Sequence, residues 1–275
     1  MPNLVFFHAH PDDESIATAG TMLKAARLGH RVVLLVATGG ELGEVGEGVL
    51  AEGETLGERR AAEVEASAKL LGVSRFEMLG YHDSGMAGDA SNDHPHAFWR
   101  ADTEEAGARV AEILLEEKAD LLTIYDPNGG YGHPDHIKVH QVGTRAAEIA
   151  GVEKVYWATM NRDQIKRQLA VLEAAEALLD DERRERATED NFGMPEAEIT
   201  HAIDVSDVLE EKRAAMKAHA SQITDESFFL TMNAEQYNQA FGTEWYVAAY
   251  LSKGARQEGF VEGVPEGFFN DLLMP

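Results

Sequence analysis

Histidine and carboxylate crowd together at two places in this sequence. The first is His8-Ala9-His10-Pro11-Asp12-Asp13-Glu14, and the second is Tyr125-Asp126-Pro127-Asn128-Gly129-Gly130-Tyr131-Gly132-His133-Pro134-Asp135-His136. Imidazole and carboxylate are the side chains that hold divalent metals and move protons near neutral pH. The chain has no cysteine, so any metal must rest on nitrogen and oxygen, and disulfides play no part. Helix capping explains one acid after a strand, because Asp12, Asp13 or Ser15 would each suit an N-cap and acids are favoured at the positive end of a helix. It leaves the second acid and the neighbouring histidines unexplained. A lone histidine reads as a surface or internally satisfied residue, whereas four of them with several acids at two such corners read as a site.

Elements must bring the two clusters together. Through the first half, short β-branched or apolar runs alternate with longer amphipathic segments, which predicts an α/β fold: a Rossmann-like, mostly parallel sheet flanked by helices. Strands are predicted at Leu4–Phe7, Arg31–Ala37, Phe76–Leu79, Leu121–Tyr125 and Val155–Thr159. Helical spacing covers Ser15–Leu28, Leu56–Leu71, Glu104–Glu117 and Pro134–Ala150. Gly29, Gly72 and Gly151 stand where left-handed C-caps would end three of these helices. Each cluster then starts at the carboxyl end of a strand and opens a helix, with Pro134 suited to a first turn. Open α/β sheets bind ligands at that edge. The stretches Gly39–Gly57 and Gly85–His96 read as long loops on the same side. Beyond residue 160 the pattern is less regular, with a charged helix around Gln164–Arg186, a strand at Ile199–Val205 and a helix at Ser206–Gln222. Length and 44% hydrophobic content favour one domain over 1–275, with the site in a core over 1–160 and a C-terminal extension over 161–275.

Across residues 1–160 these motifs resemble those of the LmbE-like, or PIG-L, zinc deacetylases of N-acetylglucosaminyl conjugates. Within that family, His8–Ser15, Asp83-Ser84-Gly85-Met86-Ala87-Gly88 and Tyr125–His136 are most similar to the actinobacterial mycothiol-pathway branch of N-acetylglucosaminyl-inositol deacetylases and S-conjugate amidases. Ala218-His219-Ala220-Ser221-Gln222 resembles a further family segment. The resemblance implies an amidohydrolase that N-deacetylates an N-acetylglucosaminyl conjugate, with cleavage of a mycothiol S-conjugate as the alternative. It implies zinc, or another divalent metal such as Fe2+, on His10, Asp13 and His136. Three protein ligands with an open position is the arrangement of a catalytic zinc site. Asp12 matches the general base, His133 an oxyanion stabiliser or acid for the departing amine, and Tyr131 a hydrogen-bond donor near the oxyanion. Arg60 and Asp83 match positions that hold polar groups of the sugar. For Arg60 the plainer reading is a helix-surface pairing with Glu58 or Glu63. Asp135 is expected to accept from the His133 ring and fix its tautomer, or to be a first-turn helix acid. Glu41 either supports the site or is a solvated loop acid, and His8, alternating away from His10, is expected to be structural. His94 and His96 are expected to lie exposed in their loop.

The 24 Lys and Arg residues against 49 Asp and Glu give a formal charge of −25, which repels a phosphate backbone. Nucleic acid is therefore not expected as a partner; the resemblance implies a small-molecule N-acyl amino-sugar conjugate instead. No apolar run approaches the roughly 20 residues of a membrane span, and Met1-Pro2-Asn3 lacks the basic opening of a secretory signal, so a cytoplasmic protein is expected. Two other classes fit part of the pattern. His10, Asp12 and His136 permit a two-histidine, one-carboxylate iron oxygenase, but that reading conflicts with the strand–helix alternation and leaves one acid of the pair idle. A non-catalytic sugar- or metal-binding module would not require Asp12 and His133.

Overall fold

Runs such as Leu4-Val5-Phe6-Phe7 and Val32-Val33-Leu34-Leu35-Val36 are apolar at every position, which suits strands covered on both faces. In the computed structural model, which describes residues 1–174 and 192–249, they form the middle of a seven-stranded sheet. Its strands are β1 (Asn3–His8), β2 (Arg31–Thr38), β3 (Arg75–Tyr81), β4 (Leu121–Tyr125), β5 (Val155–Thr159), β6 (His201–Asp204) and β7 (Thr243–Ala248), in the order β3-β2-β1-β4-β5-β7-β6. The first five in that order are parallel. β7 joins β5 antiparallel, and β6 joins β7 antiparallel. Residues alternate along β1 between two cores: Leu4 and Phe6 pack with Met22, Val64 and Ala215, while Val5 and Phe7 pack with Val110, Val139 and Val142.

Among the described residues, the α-helices of five residues or more are α1 (Asp13–Ala17), α2 (Ala19–Arg27), α3 (Leu56–Leu70), α4 (Thr103–Glu116), α5 (Pro134–Ala150), α6 (Arg162–Ala174), α7 (Leu209–Ala218) and α8 (Ala234–Phe241). Gly29, Gly72 and Gly151 all adopt the positive φ expected of helix ends. The helix expected over Ser15–Leu28 is divided at Thr18. The division has a cause far along the chain: the buried Glu244 carboxylate accepts the Gly20 and Thr21 amides at 2.8 Å each, creating a second helix start, and pairs with Lys212 at 2.6 Å. The helix expected over Ser206–Gln222 is a short 3-10 turn followed by α7, which stops at His219. β7 lies where the sequence pattern predicts no element. Its alternation sends Tyr246 and Ala248 to one core and Val247 to a smaller cluster with Met194 and Ile199. The part of the Gln164–Arg186 helix beyond Ala174 lies outside the described residues.

Candidate active site

β1 and β4 are direct neighbours, and from them the sheet continues through β2 and β3 on one side and β5 on the other. This reversal of strand order is a topological switch point, where the carboxyl ends of an open α/β sheet leave a crevice. The chain leaving β1 supplies His10, Asp12 and Asp13, and the chain leaving β4 supplies Tyr131, His133 and His136. With Arg60 and Asp83, all of these except His136 line a cavity of about 250 Å³. His136 lies directly behind it, almost fully buried.

The adjacent acids divide sharply in placement. Asp13 Oδ2 lies 3.4 Å from His10 Nδ1 and 3.4 Å from His136 Nε2, and it also accepts the His10 amide at 2.8 Å. Burial opposes its ionisation, yet His136 and His10 hold its carboxyl well below the usual range. Asp12 makes no side-chain cap to α1, so capping does not explain it. Its backbone sits at φ 98°, ψ −30°, a conformation costly for a residue with a Cβ. The carboxylate faces the cavity and pairs with Arg60 Nη2 at 3.2 Å. Burial raises the Asp12 carboxyl to about 6; Arg60 opposes the rise and the charge of Asp13 adds to it.

His136 is fixed from behind: its Nδ1 lies 3.2 Å from the Gly129 carbonyl, and its ring stacks on Tyr125 with centroids 4.1 Å apart. That leaves Nε2 buried and, among the described residues, without a hydrogen-bond partner. One nitrogen each of His10, His133 and His136 lies within 4.8 Å of the others. An orphaned imidazole nitrogen beside a carboxylate and a second imidazole is a donor set suited to a divalent ion with nitrogen and oxygen preference. The other side of His10 has acceptors: Nε2 lies 3.2 Å from Asp135 Oδ2 and 3.6 Å from Asp83 Oδ1. Burial alone would lower the His10 imidazole, but Asp13, Asp135 and Asp83 raise it well above the usual value.

Of the two readings of Asp135, the first-turn helix acid is what the structure has, and the acceptor for the His133 ring is not. Its carboxylate contacts His10, the Ser84 amide at 2.9 Å and the Ser84 hydroxyl, not the His133 ring. The His133 tautomer is set instead by the Asp135 backbone, whose amide donates to His133 Nδ1 at 3.1 Å as the cap of α5. The remaining nitrogen, Nε2, then carries the proton. Burial, with His10 and His136 close by, lowers His133 to about 3, so its ring is neutral. Tyr131 sits on a loop between Gly130 and Gly132, both at positive φ, and remains 36% exposed. Asp126 fixes the root of that loop by accepting the Asn128 and Gly130 amides at 2.8 and 3.1 Å.

Arg60 is not a helix-surface arginine. It is 4% exposed and spends its guanidinium on the Gly40 and Pro11 carbonyls and on Asp12. Asp83 lines the cavity, accepts the Leu42 and Gly85 amides, and has its own amide held by Glu41 at 3.1 Å. His8 is structural: Nδ1 lies 3.0 Å from the Tyr125 hydroxyl and Nε2 2.8 Å from Thr18 Oγ1. His94 and His96 contribute nothing to the cavity wall. Two residues escaped assignment from sequence. Ser84 and Glu14 are both fully buried and both stand inside quoted motifs. A buried acid or hydroxyl beside candidate ligands was the available signal.

Three comparisons bear on the whole. The family model described as GlcNAc-PI de-N-acetylase matches residues 5–148. A 1D-myo-inositol 2-acetamido-2-deoxy-alpha-D-glucopyranoside deacetylase of Salinispora arenicola is 40% identical over 265 residues, covering 91% of this chain and 86% of the relative. Among solved structures, N,N'-diacetylchitobiose deacetylase from Pyrococcus horikoshii superposes with a TM-score of 0.57 at 19% identity, covering 90% of this chain and 82% of that one. The zinc-inhibited form of teicoplanin deacetylase Orf2 superposes with a TM-score of 0.59 at 17% identity, covering 90% and 98%. Among the described residues, no helix is long and apolar enough to cross a membrane. From the matched family model and the extent of identity with its deacetylase relatives, the chain belongs to the PIG-L family and is a hydrolase of the amide C–N bond of an acetyl group.

Proposed function

We propose that this protein N-deacetylates an N-acetylglucosaminyl-inositol glycoside in the cytoplasm, with His10, Asp13 and His136 holding a divalent metal, zinc in the first instance, and Asp12 acting as general base. The observation that carries this reading is the division of the acid pair: Asp13 is turned onto two imidazoles, while Asp12 is turned into the cavity with its carboxyl raised to about 6. The substrate rests on the names of relatives such as that of Salinispora arenicola. Held by His10, Asp13 and His136, a divalent ion would lower the pKa of water and polarise the amide carbonyl.

The chain's own residues supply the rest. Asp12 accepts the proton as the water oxygen bonds to the acetyl carbon, a role suited to a carboxyl with a pKa near the working pH. His133, neutral and with its proton on Nε2, donates a hydrogen bond to the oxygen on which negative charge develops, and Tyr131 is placed to add a second. When the C–N bond breaks, the proton held by Asp12 passes to the nitrogen, leaving the free amine and acetic acid, which ionises to acetate. Arg60 keeps Asp12 aimed, and so serves the base more than the sugar.

The test is a paired measurement on one purified sample: bound metal by plasma mass spectrometry, and amine release from N-acetylglucosaminyl-inositol, other N-acetylglucosaminyl compounds and mycothiol S-conjugates. Stoichiometric metal with release of acetate from the inositol glycoside is expected. Preferential cleavage of S-conjugates would replace deacetylation with conjugate amidase activity. Activity restored by Fe2+ and not by Zn2+ would change the metal while leaving the ligands.

A further inference from the structure

Behind the catalytic corner lies a buried contact that the reaction scheme above does not use. Glu14, fully buried, receives three donors: the Asp12 amide at 3.0 Å, Ser67 Oγ at 2.5 Å and His219 Nε2 at 2.6 Å. His219 is also fully buried, and its Nδ1 has no hydrogen-bond partner among the described residues, so the ring is held through its bond to Glu14. It stands at the end of α7, 205 residues from Glu14, in a segment locked to α3 by the Ser221 amide and hydroxyl on Glu63 at 2.9 and 2.6 Å. Asp12 is one of two described non-glycine residues with positive φ, so its peptide must be held by its surroundings. The hold is two-sided. The Asp12 carbonyl accepts the Ser15 and Ile16 amides, and its N–H is taken by Glu14.

We propose that His219 is a positioning residue for the general base: it fixes Glu14, which fixes the Asp12 peptide in its left-handed conformation and so aims the Asp12 carboxylate at the attacking water. This rests on Asp12 being the base. The C-terminal part of the chain thus completes the active site from behind without touching substrate. A carboxylate with three donors has little freedom, and a displacement of about 1 Å at a reacting group costs on the order of 100-fold in rate.

The experiment compares His219→Leu, which loses the donor, with His219→Gln, which keeps one, each alone and in the Asp12→Asn background. Turnover, KM, bound metal and melting temperature are read for every variant. His219→Leu is expected to lower kcat on the order of 100-fold with KM and metal content unchanged. His219→Gln should recover most of that loss, and neither change should lower the residual rate of Asp12→Asn further. If His219→Leu does not fold, Glu14→Gln, which cannot accept all three donors, should give the same kcat loss. Loss of metal in step with kcat, or a full additional loss in the Asp12→Asn background, would overturn the proposal. Undiminished turnover in Asp12→Asn alone would instead remove the base assignment, a failure visible without any change at His219.

Discussion

At the amino ends of β1, β2 and β3, Arg31 and Arg75 share the Glu117 carboxylate, Arg75 also reaches Glu116 and Glu77, and the Asn3 side chain closes the Glu117 carbonyl at 2.7 Å. At the carboxyl ends of β1 and β4, the same kinds of group are arranged otherwise. Among the described residues, His136 Nε2 has no hydrogen-bond partner, Asp12 sits in a strained backbone, and Asp13 faces two imidazoles with no lysine or arginine on it. Charges at the first end are satisfied by one another and hold strands together. Those at the second are held by their neighbours in arrangements that leave lone pairs and a raised carboxyl directed inward. A folded chain keeps such groups only where the surroundings over-determine them, and that is where function is found.

The largest effect among single oxyanion contacts is expected at His133: His133→Ala should lower kcat by about 100- to 1,000-fold, the cost of one oxyanion donor, with a melting temperature changed only by the lost cap of α5. Steady-state kinetics with a thermal scan would check it, and a kcat within a factor of a few of wild type would remove His133 from the chemistry. Ser84 tests the support of the metal corner. Its amide and hydroxyl hold Asp135, which faces His10 Nε2, and its hydroxyl also receives the Trp99 amide at 2.9 Å. Ser84→Ala is expected to weaken metal binding by about 10- to 100-fold, measured by competition with a chelator. Unchanged affinity would mean that Asp135 needs no anchor.

The smallest catalytic effect is expected at the opposite end. Glu117 has its carboxyl lowered to about 2, first by hydrogen bonds from Arg31, against a usual value of 4.5. A group whose folded pKa is depressed stabilises the fold above its unfolded pKa, and that contribution fades as pH falls from about 4.5 towards 2. Glu117→Gln should therefore cost about 1.5–3 kcal/mol at neutral pH, the range for hydrogen bonds to a charged group. It should cost little near pH 2 and leave kcat and metal content as they are. A loss of turnover without a loss of stability would erase the distinction between the two ends.

Much of this was legible in the residues. The five parallel strands follow from apolar runs of the right length, and the helix ends from Gly29, Gly72 and Gly151. The clusters after β1 and β4 follow from polar residues piled where a buried strand ends. What was not legible depends on chain segments that meet only in the fold. The break at Thr18 is imposed by Glu244, the partner of Asp135 comes from the loop after β3, and the third donor on Glu14 is His219. Local pattern carries no information on such pairings. Arg60 shows the same limit: helical spacing places it on α3 beside Glu58 and Glu63, but tertiary packing turns it inward to Asp12.

Asp12 and Asp13 are neighbours in sequence with opposite placements, and the account stands on that difference. Asp12→Asn and Asp13→Asn should be prepared side by side, with bound metal and amine release measured on the same samples. Asp12→Asn is expected to keep stoichiometric metal while kcat falls by about 100- to 10,000-fold, the range for a general base, and Asp13→Asn to lose metal and turnover together. Metal lost from Asp12→Asn, or full metal retained by Asp13→Asn, would overturn this division of roles.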